Sequence, residues 1–209
     1  MINYQENNKV DVIGYVDSEI VSSHRVHGEE FLTFTLRVPR LSETYDFINT
    51  TISKRLMVPE ISEGAKVWIR GQYRSYNNYD DKGNKLILTL FVQEIDPVPE
   101  AEKPHSEIIL DGFICKEPVY RKTPFGREIA DILLAVNRAY NKSDYIPCIA
   151  WGRNARFCEK LSVGQNIRIT GRIQSREYQK KISETEAVTK TAYEVSISRI
   201  ETTEEEEEQ

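Results

Sequence analysis

Over most of the chain, apolar and polar residues alternate with a period of two, and the apolar positions are rich in β-branched and aromatic side chains. That pattern predicts strands that bury one face. In the first half the strand-like runs are VDVIGYV (10–16), FLTFTLRV (31–38), DFINTTI (46–52), AKVWIRGQY (65–73) and KLILTLFVQEI (85–95). The second half repeats them as IILDGFI, EIADILLAVNRAY, DYIPCIAWG, QNIRITGRIQS and TAYEVSISRI. One segment breaks the period. In NARFCEKLS, Ala155, Cys158 and Leu161 fall on one helical face ahead of Gly164, which predicts a short helix between the third and fourth strands.

The two halves align with each other. Gly14, Leu36, Val38, Arg40, Asp46 and Ile48 recur 98 residues later as Gly112, Leu134, Val136, Arg138, Asp144 and Ile146, with Phe47 opposite Tyr145. The offset then becomes 100, setting GAKVWIRG (64–71) against GQNIRITG (164–171) and Ser75 against Ser175. Such a register implies two copies of one domain. Between them lies DPVPEAEKPHSE (96–107), whose three prolines and low apolar content suit a semi-extended linker. The expected organisation is a first domain over 1–99, a linker over 100–106, a second domain over 107–200 and a disordered acidic tail over 201–209. Five strands and a short helix in a domain of this size is the layout of an OB-fold, a partly open Greek-key barrel. The fold class is therefore all-β, with two tandem OB-fold five-stranded barrels and a short helix in each.

Composition narrows the class. The 209 residues are 39% hydrophobic and 29% charged, enough apolar material for packed cores. No run of about 18 apolar residues and no secretory pattern appears, so a cytoplasmic protein is expected. Cys115, Cys148 and Cys158 are odd in number and form no Cys-x-x-Cys pair, and His24, His27 and His105 sit in polar surroundings. Neither a disulfide framework nor a metal site is expected, and no cofactor. The net charge of −5 is uneven: residues 1–99 carry −3, residues 100–200 carry +4 and the tail carries −6. Acidity is thus mostly in the tail, and a negatively charged partner for the body stays open. No phosphate loop, nucleophile–base order or carboxylate cluster outside the tail points to an enzyme.

The second copy resembles the bacterial or phage single-stranded DNA-binding proteins of the replication type, over 108–178. The resemblance rests on DGFICKEPVYRKTPFGREIA, LAVNRAY, DYIPCIAWG and GRIQSREY. The first copy is similar only in layout, through KVDVIGYV and EGAKVWIRGQYRS. The resemblance implies a protein that binds single-stranded DNA without strong sequence preference and protects it during replication, recombination or repair. It places base-stacking roles on Tyr140, Tyr145, Trp151 and Tyr178. Around these, Arg121, Lys122, Arg127, Arg138, Arg153, Arg156, Arg172 and Arg176 would meet phosphates. In the first copy Tyr73, Tyr76 and Tyr79 could stack, although Asp80 and Asp81 beside them would repel phosphate. Most binding energy is therefore expected in the second barrel. A homodimer would supply the four barrels common in the family. The acidic tail lacks the apolar tip by which family members recruit replication and repair proteins, which leaves that partnership in doubt. The rival reading is an OB-fold protein-interaction module of a primosome or recombination complex.

Overall fold

The protein is described by a computed structural model covering residues 6–80, 83–181 and 187–202. Six strands, not five, build each half. In the first half they are β1 (Asn8–Val16), β2 (Val21–Val26), β3 (Glu29–Pro39), β4 (Tyr45–Ser53), β5 (Lys66–Asp80) and β6 (Gly83–Pro97). The second half has β7 (His105–Ile114), β8 (Val119–Lys122), β9 (Glu128–Arg138), β10 (Lys142–Trp151), β11 (Asn166–Lys181) and β12 (Ala187–Thr202). The extra strands, β2 and β8, are short hairpin partners of β3 and β9. Both are largely exposed and lack alternation, so periodicity could not reveal them.

The helix expectation holds in one half only. Arg153–Cys158 forms α1, with Ala155 and Cys158 buried, while the first half has a single 3₁₀ turn at Lys54–Leu56. No side chain of that turn is fully buried and Leu56 alone packs partly against the core, too little apolar contact to prolong it. The last strand also runs past the expected domain end. Glu201 and Thr202, assigned above to the tail, pair with Arg168 and Ile167, and residues 203–209 lie outside the described residues.

Each half closes into a barrel in the order β3-β4-β6-β5-β1, with β1 returning to β3, and β9-β10-β12-β11-β7, with β7 returning to β9. The β4–β6 and β10–β12 contacts are parallel and all the other pairs antiparallel. Alternating residues such as Leu36, Ile48, Ile69 and Leu90, and their counterparts Leu134, Ile146, Ile169 and Val195, fill the two interiors. Each such side chain contributes about 1.5–3 kcal/mol by leaving water.

Gly71 and Gly171 sit opposite bulges in the partner strands, where Gln93 of β6 and Ser198 of β12 are the extra residues. A Cβ there would stand 2.2 Å from the Phe91 carbonyl oxygen or 2.3 Å from that of Ser196, so only glycine lets the strands meet.

The barrels share one twelve-stranded sheet, because β1 and β7 pair antiparallel. Val10 lies opposite Ile108, its own counterpart in the repeat, which makes the junction pseudo-two-fold. A second contact repeats the symmetry. The Asp46 carboxylate accepts from the backbone N–H of Ser175 at 2.8 Å, and Asp144 accepts from that of Ser75 at 2.8 Å. In return the Ser175 hydroxyl accepts from Phe47 N–H (2.9 Å) and the Ser75 hydroxyl from Tyr145 N–H (2.7 Å). Each barrel thereby clasps the long hairpin of the other.

Candidate nucleic-acid interface

Tyr145 and Trp151 stand on the outward phase of β10, opposite Ala135 and Ile129 of β9, and are 42% and 37% exposed. Six residues of strand separate them by about 20 Å, a spacing for successive contacts and not for one ligand ring. Tyr140, in the turn between β9 and β10, has φ 63° and is 95% exposed. Tyr178 lies on the projecting half of β11, opposite Lys190, with the Arg176 guanidinium carbon 5.9 Å from its ring centre. All four aromatics are therefore at the surface, on one strand, its preceding turn and one hairpin.

The eight cations divide. Arg121 pairs with Asp131 at 2.9 Å, Arg156 with Glu128 at 3.2 Å and Arg176 with Glu194 at 3.4 Å. Arg172 and Arg138 reach Asp46 and Asp144, at 3.1 Å and 3.6 Å, and so belong to the inter-barrel clasp. Lys122, Arg127 and Arg153 are exposed and have no ion pair among the described residues. Those three are the cations most available to an incoming phosphate.

In the first barrel the tyrosine expectation needs correction. Tyr73 is 1% exposed and packs in the core, where burial pushes its hydroxyl well above the usual range, so its ring offers no face to a base. The reason is phase: Tyr73 continues the inward series of Val67 and Ile69 past the bulge opposite Gly71. Tyr76 is 55% exposed, as a stacking role requires, and the Tyr79 side chain lies outside the described residues.

Other surface aromatics went unnoticed in the sequence. Phe125, at the tip of the β8–β9 loop, is 92% exposed, and Phe157 projects from α1. Phe47, set opposite Tyr145 by the 98-residue offset but given no role there, occupies on β4 the place of Tyr145 on β10 and is likewise exposed. On the outer face of the first barrel, His24 and Phe31 stack with centres 5.1 Å apart and Phe91 follows at 5.9 Å. The Arg74 guanidinium carbon lies 3.8 Å from the Phe91 ring centre. Phe31 and Phe91 share the phase of polar Thr33 and Thr89, and that polar-lined phase was the available signal.

Burial raises the Cys148 thiol far above its ordinary range and the Cys158 thiol to about 11, which suppresses the thiolate a nucleophile needs. Among the described residues no three His, Cys, Asp or Glu side chains are grouped as a metal would require. None of the helices described is long and apolar enough to cross a membrane.

A family model described as "Single-strand binding protein family" matches residues 105–203. Single-stranded DNA-binding protein B of Bacillus subtilis is 32% identical over 84 residues, which are 35% of this chain and 72% of that protein. The single-stranded DNA-binding protein of Clostridium tetani is 35% identical over 83 residues, and the chain spans only 57% of its length. The crystal structure of the single-stranded DNA binding protein from Thermus aquaticus is similar over 97% of this chain and 95% of that one, with a TM-score of 0.76 and 19% identity. That likeness extends over both barrels and establishes the fold, where the sequence matches concern mainly the second.

Proposed function

The chain belongs to the single-strand binding protein family, and from that membership we propose that it binds single-stranded DNA with little sequence preference, protecting it during replication, recombination or repair. The observation that carries the reading is the placement of Tyr140, Tyr145, Trp151 and Tyr178: each presents its ring to solvent within the matched segment. Bare aromatic faces suit unpaired bases, because every base has a π-face and stacking reads no sequence. Lys122, Arg127 and Arg153 supply cations that need not leave a carboxylate to meet a phosphate. A homodimer, offering four barrels, is part of the proposal.

Titration with oligo-dT and with duplex DNA at two or more salt concentrations, together with light scattering of the free protein, tests it. Single strands should bind more tightly than duplex, and log K should fall with log salt by roughly 0.7 per phosphate contact. Equal affinity for duplex, or no salt effect, overturns the reading in favour of a protein-interaction module. A mass other than that of two chains overturns the dimer.

A further inference from the structure

We propose that the first barrel serves DNA binding at one remove, as the positioning partner of the second: Asp46, Arg40 and Ser75 hold the backbone that carries Tyr178 and Tyr145 in the orientation in which those rings meet bases. The inference rests on the single-strand-binding reading and gives a task to the half of the chain that the family model does not match.

The hairpin that bears Tyr178 has little support from its own barrel. β11 pairs with β7 only as far as Gly171, and from Arg172 to Lys181 its one partner strand is β12. A two-stranded ribbon is marginally stable alone and strongly twisted, so its direction must be fixed from outside. The first barrel fixes it. Ser175, three residues before Tyr178, has each of its polar groups engaged there: its N–H donates to the Asp46 carboxylate (2.8 Å), its carbonyl accepts from the Arg40 guanidinium (2.9 Å) and its hydroxyl accepts from the Phe47 N–H (2.9 Å). Arg40 also forks onto Asp46, and Arg172 of β11 reaches the same carboxylate at 3.1 Å. Two guanidiniums on one carboxylate leave no net negative charge at the clasp to repel a phosphate.

Tyr145 is held from the first barrel as well. Its N–H donates to the Ser75 hydroxyl at 2.7 Å, and the Ser75 N–H donates to Asp144, the residue before it. The reverse clasp, on the hairpin of the first barrel, is looser. Arg138 stands 3.6 Å from Asp144 and makes no bond to Ser75 among the described residues, and Gln72 takes the place that Arg172 has on β11. The tighter hold thus falls on the hairpin with Tyr178. A contact surface that is ordered before its ligand arrives is spared the cost of ordering on binding, so residues that touch no DNA raise affinity by holding those that do.

Double-mutant cycles in the full chain test the proposal. Affinity for oligo-dT would be measured for the parent, Asp46→Ala, Tyr178→Ala, Trp151→Ala and the two variants that combine Asp46→Ala with each ring change, all checked for folding by circular dichroism. Tyr178→Ala should weaken the parent at least about fivefold, and Asp46→Ala by a similar factor. In the Asp46→Ala background the Tyr178 change should cost less than about twofold more, because the ring is already out of place. Trp151→Ala, at the far end of β10, should keep its full effect there. If Asp46→Ala fails to fold, Arg40→Gln, which frees the Ser175 carbonyl and leaves Asp46 its Arg172 partner, takes its place in both cycles. A folded clasp variant that binds like the parent, a Tyr178 loss that simply adds to it, or equal shrinkage of the Tyr178 and Trp151 effects overturns the positioning role. A parent that binds no single strand overturns both this inference and the function it rests on.

Discussion

At the scale of single residues, exposure decides which aromatics can work. Trp151 and Tyr178 keep more than a third of their surface in water, whereas Tyr73, of the same chemistry, is enclosed. Stacking is worth about 1–3 kcal/mol per base, so replacing Trp151 and Tyr178 together by Ala should weaken single-strand binding by at least about thirtyfold in a variant that circular dichroism shows to be folded. Unchanged affinity would remove both rings from the contact surface. The cations obey a similar rule. Glu128, Asp131 and Glu194 already satisfy three of the eight arginines and lysines, and a phosphate must compete with those carboxylates. Charge counted along the sequence therefore overstates the charge available to a ligand.

At the scale of elements, the long hairpins depend on a glycine at each bend. Gly171→Ala would drive a methyl into the Ser196 carbonyl, and because that neighbour is backbone, β11 and β12 must part at the bulge. A loss of about 1–3 kcal/mol in urea unfolding is expected, as for other overpacked sites. An unchanged midpoint would mean that the bulge tolerates a side chain. The short elements show the reverse situation. Strands β2 and β8 and the Lys54–Leu56 turn bury little surface of their own, Tyr120 and Leu56 being only partly covered, so pairing and chain reversal chiefly define them.

At the scale of the molecule, the two barrels are joined by strand pairing at β1–β7 and by the reciprocal aspartate–serine clasp. Burial raises the Asp144 carboxyl above its ordinary value near 3.8, against the opposing pull of the Ser75 N–H and of Arg138 and Arg74. A carboxyl whose folded value is raised contributes its full stability below the unfolded value and loses it as pH climbs through the folded one. Thermal melts of the parent and of Asp144→Asn should therefore diverge, the parent being favoured most near pH 3.8 and below and losing ground as pH rises from there. A parent that instead gains on the variant with rising pH would show that the arginines outweigh desolvation. The clasp also explains why Arg138 and Arg172 look like phosphate ligands in sequence while standing beside Asp144 and Asp46 in the fold.

Strand period, the repeat from Gly14 to Ser175 and the DGFICKEPVYRK and GRIQSREY segments were enough to establish two OB barrels, their family and the four surface aromatics of the second. Those features are local: alternation marks which phase is inward, and a repeat needs no knowledge of contacts. Alternation also held Tyr73 in the inward phase of Val67 and Ile69, a signal that the stacking expectation passed over, whereas only the tertiary structure decided that β2 and β8 are strands, that Glu201 and Thr202 belong to one, and that His24, Phe31, Phe91 and Arg74 meet on one face. Each of these depends on residues distant in sequence coming together, through a partner strand that supplies hydrogen bonds or a barrel that brings four strands together on one face.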